Sequence, residues 1–92
     1  MLLGMKEKIN KEVSVVMYYS SQHKRAVPHL LYWQNKDYEL GPVDYYHSFL
    51  EGRERQHIFE LTDKENSLCF RLRLNGSNLH WVLESVHDGL AD

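Results

Sequence analysis

The sequence predicts an all-β protein: a six-stranded antiparallel meander curled into a small barrel or roll. Three observations carry that prediction. From Glu12 onward, apolar and polar residues alternate with a period of two, and β-branched and aromatic side chains dominate the apolar positions. Turn-forming clusters ("QNKD", "LEG", "DKEN" and "NGSN") separate the alternating runs. Aromatic residues fall on both parities, as in Tyr18-Tyr19, Tyr32-Trp33 and Tyr45-Tyr46, which a flat sheet with one wet face does not accommodate. A half-open curved sheet that dimerises is the alternative architecture.

The elements follow in order. Residues 1–11 form a flexible or short helical N-terminus, because "MKEKINKE" lacks a wide apolar stripe. The single β domain spans 12–89, and 90–92 fray. The first strand, Glu12–Ser20, places Val13, Val15, Met17 and Tyr19 on one face. The second is His29–Trp33. The third begins at Tyr38, bends at Gly41-Pro42 and continues to Phe49, since proline cannot donate to a ladder. The fourth is Arg53–Thr62, the fifth Ser67–Leu74 and the sixth Leu79–His87.

Register fixes which side chains share a face. A four-residue loop at 63–66 sets Phe59 opposite Phe70 and His57 opposite Leu72. A four-residue loop at 75–78 sets Leu72 opposite Trp81 and Phe70 opposite Leu83. Both choices turn Phe59, Phe70, Leu72, Trp81 and Leu83 inward. Between the third and fourth strands, a loop of Leu50-Glu51-Gly52 with a left-handed Gly52 pairs Val43 with Phe59 and Tyr45 with His57.

Bulk properties narrow the function. The chain of 92 residues suits one domain with a modest core, and its net charge of −2 lacks the basic footprint of a general nucleic-acid binder. Aromatic residues make up 12% of it, a rich share that supplies large buried areas. One cysteine, Cys69, excludes an intramolecular disulfide. The apolar start "MLL" is too short for a signal-peptide core or a membrane span, so a cytoplasmic protein without membrane attachment is expected.

No catalytic motif, phosphate-cradling glycine loop or cofactor signature occurs. No spacing among the six histidines matches a zinc site. His47 and His57 are expected on one face with Tyr45 between them. Together they form a candidate ligand or metal pair, though a half-buried His57 packed on Leu72 is the plainer reading. Cys69, expected opposite Glu84 and Glu60, lacks a base that would favour its thiolate. Arg53, Arg55, Arg71, Arg73, Lys24 and Arg25, with Tyr18, Tyr32 and Tyr46 as stacking platforms, outline a candidate nucleic-acid surface. Arg71 near Glu60 and Arg73 near Glu84 read equally as cross-strand ion pairs.

"LYWQNKDYEL", "IFELTD", "CFRLRL" and "LHWVLESVHDG" resemble a family of small bacterial domains of unknown function. Similar stretches form the C-terminal tails of translesion-polymerase-like mutagenesis proteins. The likeness runs from Pro28 to Gly89 through Trp33, Tyr38, Phe59, Phe70, Trp81, Leu83 and Asp88. This chain departs from the tails at "DYYHSF", where they carry further tryptophans. The resemblance implies a β domain and no catalytic residues.

The function expected from the sequence is therefore a non-enzymatic β-module that binds a protein, most simply itself as a homodimer. The interaction face is expected at Ile58, Arg71, Arg73, His80, Val82, Glu84 and Val86, or at the edge of the last strand, which lacks Pro and Lys. The alternatives are a nucleic-acid-binding accessory module and a small-ligand or metal binder using His47 and His57.

Overall fold

The structure, a computed structural model, describes residues 6–65 and 68–88. The strands are β1 (Lys6–Ser20), β2 (Arg25–Trp33), β3 (Lys36–Glu51), β4 (Glu54–Asp63), β5 (Leu68–Asn75) and β6 (Trp81–Asp88). Each pairs antiparallel with the next, and β1 also pairs with β6, so the sheet closes into a ring. No helix occurs among the described residues. The helical alternative for the N-terminus is thereby corrected: Lys6–Lys11 extend β1 and pair with β6. An amphipathic stripe is unnecessary there, because the ladder satisfies the backbone. Residues 1–5, the start of the fifth strand at Ser67, and the end at 89–92 lie outside the described residues.

The long β1 works as a hinge between neighbours. Its first half, Lys6–Val13, pairs with β6, and its second half, Ser14–Ser20, pairs with β2. One extra residue at Ile9-Asn10, with Asn10 at φ 53°, bulges β1 opposite Glu84. A second bulge lies in the β5–β6 ladder at the same level, where Arg71 pairs with Ser85 and Leu72 with Leu83. Paired bulges increase local twist and let a short sheet curl shut.

The core contains Leu31, Leu40, Phe59, Leu61, Phe70, Leu72, Leu74, Trp81, Leu83 and Val86. Val13, Val15 and Met17 pack against it from β1, as the alternation predicts. Tyr19, on the same parity, emerges at the end of the ring and is exposed. Phe59, Phe70, Leu72, Trp81 and Leu83 all face inward as expected, joined by Val86, yet the pairings are displaced by two residues, and by three for Phe70, which faces Val86 beyond the β6 bulge. Phe59 faces Leu72, Leu61 faces Phe70, and Leu72 faces Leu83. A slip of two preserves the face, so the core composition survives the register error.

The β3–β4 hairpin corrects a larger expectation. Glu51 pairs with Glu54 across a two-residue turn, with Gly52 at φ 63° as its first central residue. That is the position at which a tight hairpin turn needs positive φ. Tyr46 therefore faces Phe59, and Ser48 faces His57. Register shifts between Leu40 and Val43 and between Val43 and Tyr45 then bring Val43 opposite Leu61.

Candidate functional site

The bend expected at Gly41-Pro42 decides where the molecule has an open site. A Cβ at Gly41 would lie 3.0 Å from the backbone oxygen of Thr62, so glycine lets β3 press against β4. β3 thereby turns away from β2. The β2–β3 ladder contains only Leu30–Glu39, Leu31–Tyr38, Tyr32–Asp37 and Trp33–Lys36. Beyond it stand Pro28 on β2 and Pro42 on β3, neither able to donate an N–H. The result is a seam in the ring, a groove of about 520 Å³. Val27, Pro28, Leu40, Pro42 and Val43 form its apolar walls.

The polar lining of the seam is one-sided. Arg25, Lys64, His23 and His29 line it together with Tyr18, and no carboxylate among the described residues does. Arg25 lies with its guanidinium carbon 4.0 Å from the centre of the Tyr46 ring, bridging the gap between β2 and β3. Its Nε is buried without a hydrogen-bond partner. Tyr46 Oη in turn lies 2.7 Å from His57 Nδ1. Burial, then the nearby charges of Arg55 and Arg25, hold the His57 pKa below its ordinary value. The tautomer of His57 decides which of Tyr46 Oη and Nδ1 donates the hydrogen bond.

The histidine pair predicted from sequence does not form. His47 shares a face with its partner Ile58, whereas His57 shares the opposite face with Ser48. The two-residue turn is the cause, because it moves Tyr46 rather than Tyr45 inward beside His57. His47 lies on the outer face between Tyr45 and Phe49, with ring centroids 5.3 Å and 5.9 Å away. Among the described residues no group of His, Cys, Asp and Glu is arranged to hold a metal ion.

The face predicted for interaction divides. Arg71 donates to Glu84 at 2.9 Å and also to Glu60, and Arg73 reaches Glu84 at 3.1 Å. Burial opposes the Arg71 charge, yet its bonds to Glu84 and Glu60 prevail and raise its pKa. Val82 is half-buried and His80 is exposed, 3.8 Å from Glu12. Ile58 occupies an outward register position between His47 and Arg73 but is fully buried. Val86 corrects the prediction outright. The bulge at Glu84 reverses its parity, so it faces Phe70 in the core. The edge of the last strand is corrected too, since β6 is paired with β5 on one side and β1 on the other.

Cys69 faces Thr62 and His87, not Glu60 and Glu84. Its sulfur lies 3.2 Å from Thr62 Oγ1. Of the candidate nucleic-acid groups, Arg71 and Arg73 face glutamates and Tyr46 points inward, whereas Arg25 and Tyr18 line the seam.

Exposed apolar surface gathers instead on the outer face of the β1–β2 ladder. Val16 lies directly opposite Leu30, and Ser14 opposite Tyr32. Val16, Tyr18 and Tyr32 are 56%, 53% and 46% exposed. Tyr18 also meets His29 edge-on, with centroids 6.1 Å apart. The face expected from the sequence lay elsewhere, around Ile58, Val82 and Val86.

No family model, curated protein or solved structure matches this chain. The aromatic positions on which the resemblance rests are largely core positions. Phe59, Phe70, Trp81 and Leu83 are buried, and Trp33 and Tyr38 pack against them. Such residues report a way of folding and not a chemistry.

Proposed function

We propose that this chain is a non-enzymatic β-module that binds a protein, most simply a second copy of itself, through the outer face of the β1–β2 ladder. The observation that supports it is the contiguity of Val16, Tyr18, Leu30 and Tyr32, with uncharged Ser14 completing the face. Large rings with few rotatable bonds suit a contact surface, because they bury area at low entropic cost. A patch of this kind binding itself across a twofold axis uses the same residues twice.

The magnitudes favour a weak dimer. Burying a large apolar side chain gives about 1.5–3 kcal/mol at full exposure, so half-exposed ones give roughly half. The sum over both copies, about 6–12 kcal/mol, is of the same size as an association cost of about 4–15 kcal/mol. The expected complex is weak and concentration-dependent, so it is sought from the micromolar to the millimolar range.

Size-exclusion chromatography with light scattering across that range tests the reading. The wild type should shift from monomer to dimer mass. Val16→Lys and Tyr32→Lys should remain monomeric while unfolding at the wild-type temperature. A wild type that stays monomeric at every concentration removes the self-association.

A further inference from the structure

The seam between β2 and β3 adjoins the self-association face at Tyr18, and Arg25, Lys64, His23 and His29 lie in it outside that face. Arg25 makes none of the ion pairs found among the described residues, whereas Arg71 and Arg73 both have glutamate partners. Its flat face rests on Tyr46 and its Nε is buried without a partner. A buried donor without an acceptor is costly unless something supplies one. Lys64 adds a cation and His23 and His29 add hydrogen-bonding rings to the same groove, and no carboxylate among the described residues lines it. The volume, about 520 Å³, lies in the range of small-molecule sites and exceeds what a lone inorganic anion fills. Tyr18 and His29 contribute exposed ring surface at the same place.

We propose that the seam binds a mononucleotide, with its phosphate on Arg25 and Lys64 and its base against Tyr18 and His29. Charge complementarity selects the phosphate: a guanidinium braced on an aromatic ring is already oriented for a planar, charge-assisted contact. Apolar walls and ring faces select a flat heterocycle beside it. A nucleic-acid strand fits less well. It needs a track of cations along several phosphates, and the groove itself offers Arg25 and Lys64 on a chain of net charge −2.

The test is a titration of the intact protein, followed by amide chemical shifts, with adenosine monophosphate, adenosine, inorganic phosphate and a short oligo-dT strand. Adenosine monophosphate should move the amide resonances of Arg25, Val27, His29, Leu40, Gly41, Val43 and Lys64, and bind more tightly than either fragment. Loss of a charged contact should weaken it about tenfold in Arg25→Gln and in Lys64→Gln. Lys64 is exposed, so its substitution leaves the fold intact, and thermal unfolding checks Arg25→Gln. Adenosine binding as tightly as its monophosphate overturns the assignment, as does a silent seam or a Lys64→Gln variant that binds normally. Tighter binding of oligo-dT through these residues replaces the mononucleotide with a strand and also overturns it. The Val16→Lys monomer should bind adenosine monophosphate at least as tightly as the wild type, because no dimer then covers Tyr18, which separates this outcome from that of self-association.

Discussion

Gly41 shows how one absent methyl group shapes a site. The backbone oxygen of Thr62, 3.0 Å from where a Cβ would stand, belongs to a paired strand and cannot retreat cheaply. Gly41→Ala is expected to destabilise the protein by about 1–3 kcal/mol in chemical denaturation, the usual cost of overpacking. His57 carries the pH dependence at this scale. Its folded pKa lies below the ordinary value, through burial and then Arg55 and Arg25. The unfolded chain therefore takes up a proton that the folded chain resists. Stability should fall as the pH drops below about 6.5 and level off below the folded pKa. Urea midpoints from neutral to acidic pH should show a shallower decline in His57→Gln than in the wild type, and equal slopes would contradict the assignment. The sequence placed His57 facing inward, but it assigned the wrong tyrosine as neighbour, because Tyr45 and Tyr46 are equally apolar.

At the scale of the strand and turn, the alternation of β4, β5 and β6 made the inward residues legible. The turns were not legible to the residue. "NGSN" looks like the whole turn, yet the chain runs on to His80 before β6 begins, and Leu79 sits exposed at φ 63°. A leucine in that region is strained, and the glycine preference is worth about 1–2 kcal/mol, less about 0.5–1 kcal/mol for added flexibility. Leu79→Gly is accordingly expected to leave the protein as stable or raise its unfolding free energy by up to about 1.5 kcal/mol. A clear loss would show that Leu79 packs against something. The bulge at Glu84 was invisible in sequence for a related reason. "VLESV" alternates acceptably on either side of a shift, so only pairing with Arg71 and Leu72 reveals that Val86 turns inward.

For the whole molecule, the decisive feature is closure. The β1–β6 ladder removes the open edge that a linear meander would leave, and with it a route to edge-to-edge association. Deleting residues 1–11 should take away most of β1's pairing with β6 and bare that edge. The truncated protein is expected to unfold at a lower temperature and to form oligomers that Val16→Lys does not dissolve. Light scattering on the double variant checks this, and a monomeric truncated chain would mean that closure contributes little. Closure also concentrates the openness of the ring at the β2–β3 seam, where two prolines stop the ladder.

The sequence by itself determined the class of fold, the number of strands and the inward-facing set on β4 and β5, because a period-two pattern is a local property of the chain. It determined the bend at Gly41-Pro42 for the same reason. Only the tertiary structure decided that β1 reaches back to β6, that Val86 is core, and that His47 and His57 part company. It also decided that Arg25 and Lys64 meet across a groove. Those outcomes depend on pairings between distant strands, where a shift of one residue changes every partner, and no short stretch of sequence carries that information.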